Sequence, residues 1–364
     1  MSTGARYCIV IMAGGTGGHV FPALAVAERL RALGHEVVWI GTRAGLEARV
    51  VPARGLPIEW ITIAGVRGKG ITTLLLAPLN LLRAVWQALA ILRRRRPQAV
   101  IGLGGFVAGP GGLAAWLLRR PLLIHEQNAI AGLTNRLLAH LARRVLEAFP
   151  DTFPASAKRL TVGNPVRPDI TALPPPAQRL ANRGGRVRLL VLGGSLGALA
   201  LNRCVPQALA LLPPELRPAV RHQAGRTLAD AQKAYAAAGL DIQPEAFIED
   251  MAAAYAWADL VICRAGALTV AELAAAGLPA VLVPFPYAVD DHQTANAQYL
   301  VSAGAARLIQ ERELTPQALC ELLKPLLGDA ALRLRMAEAA RARAWPQACE
   351  RIADECLALA GGAA

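Results

Sequence analysis

CIVIMAGGTGGH, residues 8–19, is a strand-length apolar run that opens directly into a glycine turn, and LLVLGGSLG, residues 189–197, repeats the pattern. Between and after these two stretches, short apolar or β-branched runs alternate with helical patterns. The runs at Val37–Ile40, Ile58–Ile63, Ala99–Leu103, Leu122–His125 and Val145–Ala148 read as strands. The first helix is expected from about Pro22 to Leu33, ended by Gly34. Strands separated by helices, with little hairpin chemistry, predict a parallel sheet covered on both faces. A stiff proline stretch (Pro165, Pro168, Pro174–Pro176) precedes a restart at Val187–Leu192. Residues 99–115, AVIGLGGFVAGPGGLAA, are echoed at 259–275, DLVICRAGALTVAELAA. The reading is α/β, with two doubly wound parallel-sheet domains facing a cleft and ligands at the carboxyl ends of the strands. The expected domains are 1–164 and 165–340, with a terminal helix, 341–364, packing back across the hinge.

A chain of 364 residues, 54% hydrophobic and 18% charged, has ample core for two domains and lacks the composition of a disordered or collagen-like protein. The net charge of +13 is unevenly placed. Residues 1–165 hold twenty basic and seven acidic side chains, whereas 166–364 hold nineteen of each. The first half should therefore meet something anionic. The six cysteines include no C-x-x-C pair, which fits a reduced compartment better than a disulfide framework or zinc site. Residues 97–118 are uncharged but carry six glycines and two prolines, so they read as strand, glycine loop and helix rather than a membrane span.

Three segments carry chemistry. In Ala13–His19 a glycine turn between strand and helix lets backbone N–H groups approach an anion. Dinucleotide binding is disfavoured, because Val20 stands where the third glycine of G-x-G-x-x-G belongs and Ile40-Gly41-Thr42 supplies no ribose-binding acid. His19, read as lying on the loop, either caps the helix or accepts a proton near neutral pH. Gly193–Gly197 offers the same backbone donors to phosphate, with a hydroxyl from Ser195. In Cys263–Glu272 a helix should start near Gly266, aiming its positive end at the cleft. Glu272 could accept hydrogen bonds from vicinal hydroxyls or serve only as a first-turn acid. Pro284-Phe285-Pro286 and Asp290–Asn296 bring another strand end to the cleft, with Asp290-Asp291 read as a turn and helix start, not a metal pair.

A fourth segment concerns surfaces. Arg67 and Lys69 precede a long apolar helix in which Leu75, Leu79, Leu82, Trp86 and Leu89 recur at three- and four-residue spacing. Arg83 falls on another face and Arg93–Arg96 follow. An apolar stripe edged by arginines suits an anionic lipid surface better than a core helix followed by a solvated run. Nucleic acid is not expected, since no binding-fold signature or aromatic interleaving is present.

GGTGGHVF (14–21), GLGGFVAGPGGL (102–113), HEQNAIAGLT (125–134), GNPVR (163–167), GGSLGA (193–198), FIEDM (247–251) and 264–272, in this order, resemble the MurG family. Its members are bacterial UDP-N-acetylglucosamine:lipid-linked muramyl-pentapeptide N-acetylglucosaminyltransferases. The resemblance, over nearly the whole chain, implies a GT-B fold and inverting transfer of GlcNAc to the muramyl 4-hydroxyl of undecaprenyl-diphosphate lipid I, giving lipid II. It implies His19 as general base. Thr16, Gly17 and Gly18 would line the sugar and phosphate region, with Asn128 on the sugar and Arg167 near the diphosphate. Ser195 would contact phosphate and Ile248 the uracil. Ala267, Leu268, Thr269, Val270, Ala271 and Glu272 would form the phosphate and ribose segment, and Gln293 would touch the donor. No metal or cofactor is expected. The implied location is peripheral, on anionic lipid at the cytoplasmic face of the inner membrane. Phe106 replaces a tyrosine and Leu196 a glutamine found in some relatives, which affects donor geometry. The alternatives are another GT-B lipid glycosyltransferase or, further away, a nucleotide-dependent oxidoreductase.

Overall fold

The computed structural model describes residues 5–63, 71–180, 183–194 and 196–362, with side chains throughout except at 71–75. The chain forms two units. One runs to Pro165 and resumes at Trp345; the other is Val166–Ala344.

Among the described residues, the first unit holds seven strands: β1 (Cys8–Met12), β2 (Glu36–Gly41), β3 (Ile58–Trp60), β4 (Ala99–Gly102), β5 (Leu122–Glu126), β6 (Arg144–Glu147) and β7 (Arg159–Thr161). They lie in the order β3-β2-β1-β4-β5-β6-β7, all parallel. The register sets Ile11 beside Trp39 on one side and Ile101 on the other. β1 shows why the run has no polar alternation. Ile9 and Ile11 face a core containing Val20, Leu24 and Ile352, while Val10 and Met12 face Ile91, Leu92 and Ala108. Burial on both faces selects a continuous apolar strand.

The second unit holds β8 (Arg188–Leu192), β9 (Ala219–Gln223), β10 (Leu260–Cys263), β11 (Ala280–Leu282) and β12 (Ala306–Leu308), in the order β12-β11-β10-β8-β9, again parallel. Leu189 and Val191 pack with Leu201, Val205, Tyr235 and Leu323. Arginines close several helices here. Arg179 donates to the carbonyls of Ala276 and Gly277 at 2.6 and 2.7 Å, sealing the end of the helix Ala267–Ala276. A cation at that end also complements the helix dipole.

Three sequence expectations are corrected. The first helix spans Gly17–Ala32, so His19 sits in its first turn and not on the loop. Pro22 lies inside the helix and costs only the bond to Gly18, so the proline does not mark the start. β7 is an edge strand of three residues, too short to register as a run. The expected terminal helix, 341–364, is Ala348–Gly361, separated from the preceding helix Ala330–Ala342, and it packs into the first unit with Ile352, Ala353 and Cys356 fully buried.

Candidate active site

In the first unit, β1, β4 and β5 are neighbours, and the direction of chain progression reverses between β1 and β4. Loops diverge at such a point and leave a crevice at the carboxyl ends of the strands. His19 follows β1, Gly104 follows β4 and Gln127 follows β5. The His19 Nδ1 is 3.0 Å from the Gln127 side-chain oxygen. Beneath the ring lies Gly104, at φ +103°, and a methyl group there would stand 2.5 Å from His19 Nδ1. Gly105, at φ +79°, has no room either, because its Cβ would collide with the Gly14 carbonyl. The two glycine turns thus interlock by backbone contact.

The first turn is braced from below. The buried Trp39 indole donates to the Ala13 carbonyl at 2.9 Å. The fully buried Glu47 accepts from Gly15 N–H at 2.9 Å, and from Thr42 N–H and its hydroxyl at 3.0 and 2.8 Å. The Gly15 donor that the sequence reading gave to an external anion is therefore already engaged. Gly17 and Gly18 open the helix, where backbone N–H groups have no intrahelical acceptor. Asn128 is set by Glu126, which accepts from its N–H at 3.0 Å and its side-chain amide at 3.2 Å. The same carboxylate takes Gly132 N–H and the Asn135 amide.

In the second unit, β8 and β10 flank the point where progression reverses. Gly193, Gly194 and Gly197 form the turn after β8; Ser195 lies outside the described residues. Gly197, at φ +80°, is pressed against Ala224 and Thr227. Asn202 ties those two residues together, donating to the Ala224 carbonyl at 3.0 Å and the Thr227 hydroxyl at 2.7 Å. Its oxygen accepts from His222 Nε2, whose Nδ1 takes the Tyr235 hydroxyl. Burial pushes His222 down to about 4, so it is neutral at pH 7.

After β10, Gly266 precedes the helix Ala267–Ala276. Val270 turns its side chain into the core and its N–H bonds to Gly266, whereas Leu268, Thr269, Ala271 and Glu272 are half-buried. Glu272 accepts from the buried Tyr255 hydroxyl at 2.9 Å and lies 3.9 Å from the Arg167 guanidinium. Burial raises its pKa above the ordinary value, the Tyr255 hydrogen bond and Arg167 opposing. Ile248 is buried. Gln293 accepts from Phe285 N–H at 2.9 Å, holding the turn after β11. Asp291 accepts from the Thr294 hydroxyl at a helix start, and Asp290 and Asp291 are both at positive φ, as turn residues. Phe106 and Leu196 are both exposed.

On the helix Ile71–Arg95, Leu79, Leu82 and Trp86 are 66%, 66% and 70% exposed, while Ala84, Val85, Ala88 and Leu92 face the core. Leu89 is half-buried and Arg83 exposed. Arg94 and Arg95 pair with Glu59 at 2.7 and 2.6 Å, which removes part of the basic run from any outward role. Arg67, Lys69 and the Leu75 side chain lie outside the described residues. No described helix is long and apolar enough to cross a membrane.

Sequence reasoning assigned no role to Glu47, His125, Glu126, Gln127 or Tyr255. Its one available signal was His125-Glu126-Gln127-Asn128, four polar residues directly after Leu122-Leu123-Ile124.

Residues 9–147 match the glycosyltransferase family 28 N-terminal domain and 188–352 its C-terminal domain. A protein of Nitrosococcus oceani is 62% identical over 355 residues, 97% of this chain and 99% of its own. One of Alkalilimnicola ehrlichii is 61% identical over 96% and 98%. Both are named UDP-N-acetylglucosamine–N-acetylmuramyl-(pentapeptide) pyrophosphoryl-undecaprenol N-acetylglucosamine transferase. The crystal structure of Acinetobacter baumannii MurG is similar with a TM-score of 0.86 at 45% identity, covering 97% of this chain and 100% of that one. The calicheamicin glycosyltransferase CalG4, at 20% identity and a TM-score of 0.68, shares the fold. With both domain models matched in order along the chain and full-length relatives above 60% identity, this protein belongs to glycosyltransferase family 28 and, within it, to the MurG family.

Proposed function

We propose that the chain transfers GlcNAc from UDP-GlcNAc to the 4-hydroxyl of the MurNAc-pentapeptide carried on undecaprenyl diphosphate, turning lipid I into lipid II for peptidoglycan. The observation that carries this is the 62% identity along 355 residues to an enzyme named for that transfer. In the reading, the acceptor oxygen attacks the anomeric carbon as the bond to the UDP oxygen breaks, with inversion. His19 Nε2 takes the hydroxyl proton, and the pair of electrons from the broken bond leaves on UDP. The backbone donors at the start of the helix Ala267–Ala276 face the departing diphosphate, a preorganised electrostatic role, whereas Gly193 and Gly197 N–H are already held by the Gln223 and Gly194 carbonyls. Glu272 accepts from the ribose hydroxyls; Asn128, Arg167 and Gln293 complete the donor contacts. Leu79, Leu82, Trp86 and Arg83 meet the anionic cytoplasmic face of the inner membrane, which suits a lipid-borne acceptor.

The test is a transfer assay with labelled UDP-GlcNAc and a lipid-linked muramyl acceptor, run beside UDP-glucose and UDP-galactose. His19→Ala should cut turnover about 10²–10⁴-fold and leave UDP-GlcNAc binding intact. Preference for another donor, or near-normal turnover of the variant, would defeat the substrate and base assignments respectively.

A further inference from the structure

We infer that Gln127 is a positioning residue that locks His19 in the tautomer with the proton on Nδ1, leaving Nε2 as the lone-pair nitrogen. The inference rests on the reading of His19 as the base.

The surroundings of the Gln127 amide fix which way it faces. Its nitrogen is 2.8 Å from the Leu103 carbonyl, an obligate acceptor. The same nitrogen is 3.1 Å from His125 Nδ1. His125 is fully buried and its Nε2 is 3.0 Å from the Gly163 carbonyl, another obligate acceptor, so Nε2 carries the proton and Nδ1 does not. Burial pushes His125 down to about 4, so the ring remains neutral at pH 7. Two acceptors therefore claim the two N–H groups of the amide, and its oxygen has to face His19. An amide oxygen only accepts, so His19 Nδ1 must donate. Asn164 donates to the Gln127 backbone carbonyl at 2.9 Å and fixes the residue from the other side.

Every donor in the chain points the same way, from His19 through Gln127 and His125 to Gly163. The neutral amide orients the ring without adding a charge. When His19 accepts the acceptor's proton, Nδ1–H still points at the amide oxygen, so the lock serves both protonation states. Such a preset tautomer is needed for proton abstraction, since the nitrogen facing substrate must be the unprotonated one.

Nitrogen–proton correlation spectra of the full chain, labelled at histidine, read the tautomer directly. Wild type should show neutral His19 as Nδ1–H, and Gln127→Leu should move it toward Nε2–H. Turnover of Gln127→Leu should fall about tenfold or more, with the KM for UDP-GlcNAc within about twofold. The double variant with His19→Ala should be no slower than His19→Ala alone, because Gln127 acts through the ring. An Nε2–H tautomer in the wild type overturns the inference without any variant having to fold. So does unchanged turnover in Gln127→Leu, or a further loss in the double variant. Normal turnover of His19→Ala sinks the base reading instead, while the spectra judge the tautomer lock on their own.

Discussion

His19 and Gly104 meet so closely that the space for a single methyl group between them does not exist: a Cβ on Gly104 would stand 2.5 Å from Nδ1. Gly104 also sits at φ +103°, a conformation that side chains disfavour by about 1–3 kcal/mol. Gly104→Ala should push the imidazole off Gln127 and lower turnover at least about tenfold. UDP-GlcNAc affinity, measured by calorimetry, should hardly change. A variant with normal turnover would mean that the position of this ring does not matter to the reaction.

Glu272 gives a pH dependence with a defined sign. Burial raises its pKa above 4.5, so the carboxylate form begins to be lost at a higher pH than an exposed glutamate would lose it. In the proposed ribose contact the ionised form accepts from two hydroxyls, and the protonated form does so poorly. UDP affinity should therefore be full at neutral pH and decline on acidification before pH 4.5 is reached. Tyr255→Phe removes a hydrogen bond to the ionised form and should move the decline to higher pH. Glu272→Gln should flatten it. Equal UDP affinity in wild type and Glu272→Ala would leave Glu272 as a structural partner of Tyr255 only; it lies in the second turn of its helix, not the first as the sequence suggests.

Stability should also respond to pH through two buried histidines, one in each unit. His125 and His222 are both pushed by burial from 6.5 down to about 4. Between those values the unfolded chain binds more protons than the folded one, so acidification favours unfolding. Stability is full above about pH 6.5 and falls as the pH drops toward 4, with a ceiling of roughly 3 kcal/mol for each histidine. Urea midpoints compared at pH 7.5 and 5 read this directly; identical midpoints would contradict it.

The exposed leucines make a separable prediction. Leu79→Glu with Leu82→Glu should abolish sedimentation with anionic lipid vesicles, since fully burying each leucine is worth about 1.5–3 kcal/mol. Neither side chain is in the core, so the melting temperature and UDP binding should be retained. Undiminished sedimentation would assign the stripe some other role.

The sheet strands were legible because burial on both faces writes itself as uninterrupted apolar residues, as at Ile9–Met12. The glycine turns were legible because interlocked backbones tolerate nothing larger, as Gly104 and Gly105 show. Gln127 was not, because its role depends on the Leu103 carbonyl and on His125, and no spacing rule encodes which way an amide faces. Glu47 was hidden for a similar reason: it serves Gly15 from 32 residues away and belongs to no motif. The start of the first helix was misplaced because Pro22 resembles a first-position proline, although the preceding glycines already hold helical geometry.

The helix Ala348–Gly361 supplies Ile352, Ala353, Cys356 and Ala360 to the same core as Ile9, Val26 and Leu30. On the ribosome, those partners emerge some three hundred residues apart, with all of Val166–Ala344 made in between. The unit translated first is thus the one completed last. Its nascent core keeps an apolar flank uncovered while the second unit, contiguous in sequence, already has every strand it needs.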